Sequence, residues 1–266
     1  MKVLTDLDRP CAFVPTMGAL HAGHQSLIQR ASEICDEVVV SVFVNPLQFE
    51  DKEDLAKYPR TPERDFELAR EAGATVLWLP EYDTIYPTEI KHLSAGDLGT
   101  KFEGVHRPGH FDGVVTVVSR IFELVKPRYT IFGEKDFQQL FLITQMAARL
   151  HPDIEIVPAP TIRELSGLAM SSRNVRLSQE ALQAAEIISA VLRSAAEEET
   201  LEAVQEELNK IKAEPLFTLD YAEVIDEDTF EIATPESPKR RAIVAGWIEG
   251  VRLIDNMTMK SALVRV

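Results

Sequence analysis

The chain has 266 residues, 45% hydrophobic and 27% charged, with a formal net charge of −15. That length supports a large core and leads us to expect two domains, and the ordinary hydrophobic and charged shares exclude a disordered chain. The acidic balance argues against a nucleic-acid partner, whose backbone is held by clustered Lys and Arg; no apolar run approaches the ~20 residues of a membrane span and residues 1–10 lack a signal-peptide core, so we expect a cytoplasmic location away from membranes.

The first pattern is FVPTMGALHAGHQSLIQRA, residues 13–31. Residues 12–14 read as a short strand, Pro15, Thr16, Met17 and Gly18 as a turn, and the rest as a helix with His21, Gly23 and His24 in its first turn. Histidines three apart on a helix share a face, and a helix start adds unpaired N–H groups and the positive end of the macrodipole. Gly18 and Gly23 clear side chains from where a phosphate or flat base approaches. The pattern fits a phosphate site. Paired surface or core histidines, or a two-histidine metal site, are the other readings, the last lacking a third ligand at recognisable spacing. Cys11 and Cys35 have no CxxC spacing and read as free buried thiols of a reducing compartment.

EVVVSVFVN, residues 37–45, is a β-branched run of the kind buried on both faces of a parallel sheet, and completes a βαβ unit. Ligands of open α/β sheets bind beyond the carboxyl ends of the strands, which puts Gln48 of NPLQF near His21 and His24, unless that stretch is a plain turn. A helix is expected over residues 62–72, with Thr61 as N-cap, Gly73 ending it, and Glu63 and Asp65 suiting its dipole. ATVLWLP supplies a third strand. Residues 82–104 read as a long irregular loop, a form used for lids and binding loops. An amphipathic helix follows, with Val114, Val117, Val118, Ile121 and Leu124 inward, Asp112 as N-cap, and His110 before it as a cap or a site residue.

YTIFGEKDFQQLFLITQMAARL repeats the strand, turn and helix: residues 129–132, Gly133, then a helix from Asp136 to about Leu150. Lys135 stands at a strand end beside a helix start, where an ammonium suits triphosphate oxygens; a surface lysine on a turn is the plain alternative. Of Gln138 and Gln139, which face opposite ways, one should look toward the ligand. IEIVPAP closes the sheet. In TIRELSGLAMSSRN, Ser171, Ser172 and Arg173 group two hydroxyls with a guanidinium, a set suited to phosphate oxygens. Ala- and Glu-rich helices with Ser178 as N-cap then run to about Ala213, broken near Glu199 and Thr200, and three short strands follow. The expected fold class is α/β: a Rossmann-like parallel-sheet domain over residues 1–161 and a smaller C-terminal α+β lid domain over 162–266.

In chain order, PTMGALHAGH, FVNPLQF, YPRT, RPGHFDGV, FGEKDFQQL, LAMSSRN, DYAEV and RLIDN resemble the motif blocks of the pantothenate synthetases, a branch of the HxGH nucleotidyltransferases, across nearly the whole chain. The resemblance implies a homodimer that condenses pantoate with β-alanine through a pantoyl-adenylate. ATP and Mg²⁺ take part, and no organic prosthetic group does. By motif position it implies that Met17, Gly18, Ala19, Leu20, His21, Ala22, Gly23 and His24 line the ATP site, with His24 as proton donor and His21 beside it. It implies that Gln48 and Gln139 hold pantoate in the substrate site. Gly133, Glu134, Lys135, Asp136, Ile162 through its backbone, Met170, Ser171, Ser172 and Arg173 would meet the nucleotide. Lys135 and Arg173 would join the histidines in catalysis, the serine–arginine loop being similar to the KMSKS-like signature of the superfamily. Asp65 would lie near the magnesium. The chain departs from the family pattern at Glu50 to Lys52, where relatives often have a Gly-containing loop, and at Glu63 and Arg64. Another adenylyltransferase of the superfamily and a non-catalytic nucleotide-binding protein are the alternatives.

Overall fold

A computed structural model describes residues 1, 4–7, 10–49, 55–56, 58–87 and 90–260; the departure at residues 50–52 lies outside them. The chain forms two compact units, the first Met1–Glu134 with Gln138–Pro160, the second Lys135–Phe137 with Thr161–Val266.

In the first unit, β1 (Ala12–Thr16), β2 (Val38–Val42), β3 (Val76–Trp78), β4 (Tyr129–Gly133) and β5 (Glu155–Ala159) form one parallel sheet in the order β3-β2-β1-β4-β5. Val38, Val39 and Val40 are fully buried, as the unbroken β-branched run requires of a strand covered on both faces. The strand order reverses at the β1–β4 boundary, where an open α/β sheet leaves its ligand crevice at the carboxyl edge.

β1 is longer than expected, since Pro15 and Thr16 belong to it. The Thr16 carbonyl accepts from Phe43 N, so Thr16 faces β2 and Pro15 faces β4, with which pairing has stopped at Phe13. A proline there forfeits no ladder bond.

The connecting helices are α1 (Ala22–Ile34), α2 (Pro62–Glu71), α3 (His110–Val125) and α4 (Phe137–Leu150). α3 is buried nearly all round, including Val115, Thr116, Ser119, Phe122 and Val125, whereas Leu124 is only half-buried; the amphipathic reading was too narrow. Its N-cap is Gly109 at φ 74, a left-handed value that favours glycine, and His110 is its first residue. Asp112 sits in the first turn instead and accepts from Ala95 N at 2.7 Å. The 82–104 stretch contains a helical turn at Tyr82–Ile85 and a 3₁₀ turn at Asp97–Thr100. A 3₁₀ turn, Glu134–Asp136, intervenes before α4, which therefore starts one residue later than expected. Cys11 is buried and free; Cys35, also free, is only half-buried and donates to the Pro10 carbonyl at 3.1 Å.

In the second unit, α5 (Gln179–Ala196) and α6 (Leu201–Asn209) pack on an antiparallel sheet of β6 (Thr218–Asp226), β7 (Arg240–Ile248) and β8 (Val251–Met259). Ala185, Ile188, Leu192, Leu208, Val224, Val244 and Leu253 share its core. Ser178 caps α5 by accepting from Ala181 N at 3.1 Å, and Thr200 caps α6, which explains the break between the helices.

Candidate active site

At the carboxyl end of β1 the chain turns sharply into α1. Thr16 Oγ1 donates to the Ser41 carbonyl at 2.7 Å and accepts from Gly18 N at 3.2 Å, tying the turn to β2. Gly18 has φ 86, and an added Cβ would meet Asp65 Oδ2 and Val42 Cγ1, each at 2.9 Å, so only glycine fits there. Ala19 also takes positive φ, 51. This conformation is held from outside, because Asp65 accepts from Ala19 N at 3.1 Å and Leu20 N at 2.8 Å. Asp65 is 1% exposed and takes a third bond from Thr61 Oγ1 at 3.1 Å. Charge-assisted bonds from two main-chain donors make it the bolt of the turn. Thr61 holds the N-cap position of α2 without bonding its backbone, since its hydroxyl serves Asp65.

The two histidines differ from the expected pair on one helix face. His21 is the N-cap of α1, with extended φ −142, and His24 is the third helical residue. His21 Nδ1 accepts from Gly23 N at 3.1 Å and His24 Nδ1 accepts from His21 N at 3.3 Å, a capping box made by two imidazoles. A backbone N–H can only donate, so each Nδ1 keeps its lone pair and each neutral ring carries its proton on Nε2. The ring centroids are 4.1 Å apart. Each Nε2–H is a donor suited to an oxyanion at a helix start whose first turn holds no acid.

Beyond β2, Pro46–Gln48 forms a 3₁₀ turn capped by Asn45. Asn45 Oδ1 accepts from Leu47 N at 3.2 Å and from the Tyr86 hydroxyl at 2.7 Å, while Nδ2 donates to Gly113 O and Gln48 Oε1, both at 3.2 Å. The backbone partners fix which way Asn45 stands. Gln48 must therefore turn its oxygen to Asn45 and its Nε2 donors the other way, where one meets Met17 Sδ at 2.7 Å. Burial raises the Tyr86 phenol far above its usual pKa, so it stays a donor at any working pH. His110 Nδ1 lies 3.0 Å from the Gln48 carbonyl and donates to it. Asn45 and Tyr86 drew no role from the sequence; Asn before Pro as a cap was the available signal for Asn45, and nothing local marks Tyr86.

Gly133 ends β4 beside β1, and Glu134 follows it. Gln138 is buried and spent on structure: Oε1 accepts from Glu103 N at 3.1 Å and Nε2 donates to Leu98 O at 2.8 Å and Lys101 O at 2.9 Å. Gln139 is half-buried, with no side-chain hydrogen bond among the described residues. The first unit thus gathers residues 17–24, Gln48, Asp65 and Gly133 at the carboxyl ends of β2, β1 and β4 and on the loops and helices beside them.

The second unit holds Lys135, Asp136, Ile162 and Met170–Arg173. Lys135 is 21% exposed at its side chain, with Nζ 3.8 Å from Asp136 Oδ1. The Ile162 carbonyl accepts from Met170 N at 2.9 Å, a bond that closes a small loop at whose tip Gly167 has φ 95. Ser171 Oγ accepts from Arg173 N at 3.2 Å, and Asn174 Nδ2 donates to Ala169 O and Glu164 Oε1, both at 3.1 Å. The Ser172 hydroxyl and Arg173 guanidinium have no side-chain partner among the described residues. Among those residues no three His, Cys, Asp or Glu side chains cluster as a metal site, and no helix is long and apolar enough to cross a membrane.

Residues 2–258 match the family model described as Pantoate-beta-alanine ligase. The chain is 45% identical to the pantothenate synthetase of Acidothermus cellulolyticus, covering 96% of this chain and 88% of the relative, and 43% identical to that of Bacteroides fragilis, covering 98% and 95%. The crystal structure of pantothenate synthetase from Thermus thermophilus superposes with a TM-score of 0.90 at 40% identity, covering 97% of this chain and 99% of that one. That of pantoate-beta-alanine ligase from Francisella tularensis, complexed with Beta-gamma ATP and Beta-alanine, gives 0.79 at 34% identity, covering 96% and 92%. With its parallel five-stranded sheet, its antiparallel three-stranded sheet and these likenesses along nearly its full length, the chain belongs to the pantoate-beta-alanine ligase family.

Proposed function

We infer that the chain is an AMP-forming ligase that activates pantoate with ATP and passes the acyl group to β-alanine. The carrying observation is the double imidazole cap, which supplies two Nε2–H donors at the start of a helix whose own first turn holds no acid. Membership of the family supplies the acid and the amine, and the Francisella relative's complex supports ATP and β-alanine as ligands.

A carboxylate is a poor electrophile, so it must first become a mixed anhydride. In our reading a pantoate carboxylate oxygen attacks the α-phosphorus in line and pyrophosphate leaves. The amine of β-alanine then attacks the acyl carbonyl, loses a proton and expels AMP. Gln48 and Gln139 hold pantoate, the amide of Gln48 presenting donors to acceptor oxygens of the acid. Residues 17–24, Gly133, Glu134, Asp136, the Ile162 backbone and Met170 line the nucleotide. His24, His21, Lys135, Ser171, Ser172 and Arg173 offset the charge that grows on phosphate and departing pyrophosphate.

Asp65 does not suit a magnesium ligand, since its carboxylate already accepts three hydrogen bonds and is sealed from solvent. With no carboxylate cluster on offer among the described residues, magnesium belongs to this proposal as an ion carried by the nucleotide's phosphates, and no step is assigned to it. A homodimer and a cytoplasmic location complete the proposal, the latter supported by two free thiols.

The test is pyrophosphate release with ATP, with and without pantoate, followed by addition of β-alanine. We expect release that requires pantoate, and AMP on adding the amine. Lys135→Ala lowers the first rate by ~10²-fold or more. Pyrophosphate release indifferent to pantoate, or a stable adenylylated product after β-alanine is added, refutes the reading.

A further inference from the structure

β8 carries two adjacent polar residues, Asp255 and Asn256, only 3% and 4% exposed. Neighbours on a strand leave opposite faces, so each can hold a different segment. On the face that bears Val251 and Leu253, Asp255 takes a bidentate pair from Arg163 at 2.6 and 2.9 Å. On the other face, Asn256 Nδ2 donates to the main-chain carbonyl of Lys135 at 3.0 Å.

Asn256 can stand only one way round, because its Oδ1 accepts from Arg241 Nη1 at 2.6 Å and a guanidinium has no acceptor to offer. Arg241 is itself held, donating to Glu227 Oε1 at 2.7 Å and to its cross-strand partner Thr258 Oγ1 at 2.9 Å. Its guanidinium also lies 4.0 Å from the centroid of the Phe137 ring, which stacks on Phe230 with centroids 5.9 Å apart. One group of side chains thus grips residues 135–137 at both ends: the Lys135 carbonyl through Asn256 and the Phe137 ring through Arg241 and Phe230.

We propose that Asn256, oriented by Arg241, is a positioning residue for Lys135, fixing the carbonyl and hence the direction in which the lysine side chain leaves the turn. The proposal rests on the reading of Lys135 as a triphosphate contact. A lysine head sits on a flexible four-carbon stem, so its aim is only as good as the backbone beneath it. Small misplacements of a charge-stabilising group cost rate steeply. A buried guanidinium with a buried amide is also a poor choice for stability alone, as apolar residues of similar volume fold as well.

Asn256→Asp tests this, because it is nearly isosteric, keeps the acceptor for Arg241, and sets an oxygen against the Lys135 carbonyl in place of the donor. Pantoate-dependent pyrophosphate release, the KM for pantoate and the thermal midpoint are measured in the parent, N256D, Lys135→Ala and the double variant. We expect N256D to lower kcat about tenfold, with KM for pantoate unchanged, and to cost less than twofold when Lys135 is already alanine. N256D within twofold of the parent, or an equal loss with and without the lysine, overturns the proposal. Should N256D melt early, Asn256→Thr, β-branched and suited to a strand, is judged by the same two comparisons. A Lys135→Ala protein as fast as the parent overturns the lysine's role and the positioning with it, whereas a parent that ignores pantoate overturns the assigned function.

Discussion

His21 and His24 each use Nδ1 for architecture, and the proposed function assigns the chemistry to Nε2. The two uses can be separated by substitution. In His24→Asn the side-chain oxygen can replace Nδ1 as acceptor for His21 N, while nothing replaces the Nε2–H. We expect kcat for pyrophosphate release to fall by ~10² to 10³-fold with the thermal midpoint within a few degrees of the parent, read by stopped assay and calorimetry. At this scale the sequence singled out the two histidines but not how they stand. The three-residue spacing implies a shared helical face only if both residues are helical, and the extended backbone of His21 breaks that premise. Asp65 was legible as a first-turn acid, yet its partners at residues 19 and 20 are 46 and 45 residues away and leave no local mark.

Among the elements, the strands were the most readable, because short β-branched runs between turn residues have few other uses. Caps were less so: Thr61 and Ser178 hold the N-cap positions expected of them, but Asp112 yielded that place to Gly109, at left-handed φ 74. α3 also touches the Asn45–Gln48 turn in a way that no pattern announces. An added Cβ on Gly113 would lie 2.5 Å from Leu47 O, so Gly113→Ala must push the Asn45–Gln48 turn away. We expect the KM for pantoate to rise several-fold while the KM for ATP holds, a split that initial-rate kinetics resolves.

A second contact of α3 should be visible in the pH dependence of stability. Ser119 Oγ lies 2.8 Å from His151 Nε2, just beyond α4, and burial lowers the His151 pKa below its ordinary 6.5, with Glu123 opposing that shift. The folded state then favours the neutral ring. Its stabilisation is present above the unfolded pKa of about 6.5 and is lost as pH falls through the lower folded value. Urea denaturation of the parent between pH 7 and pH 5 should lose more stability than His151→Asn loses over the same range.

Over the whole molecule, each unit has a core of its own, and stability can be altered in one while the glutamines proposed to hold pantoate stay in the other. Leu192 is fully buried in the second unit, and Gln48 and Gln139 lie in the first. Leu192→Ala should cost about 2–5 kcal/mol in chemical denaturation and leave the KM for pantoate unchanged at a temperature where the variant is folded. The β-branched runs before residue 161 and the Ala- and Glu-rich helices after Ser178 hinted at two textures, which the structure resolves as a parallel and an antiparallel sheet. The allegiance of residues 135–137 was not legible, since it depends on Asn256, 121 residues further on, and on Arg241.

Those three residues constrain how the chain can be recombined. The backbone enters the second unit at Lys135, returns at Gln138 and leaves for good after Pro160. A chimaera spliced at residue 160 therefore severs no secondary structure but separates residues 135–137 from the side chains that hold them. A donor half lacking counterparts of Phe230, Arg241 and Asn256 would yield a hybrid that folds and yet aims its ammonium badly, and transplanting residues 134–137 along with the donor half should restore its rate.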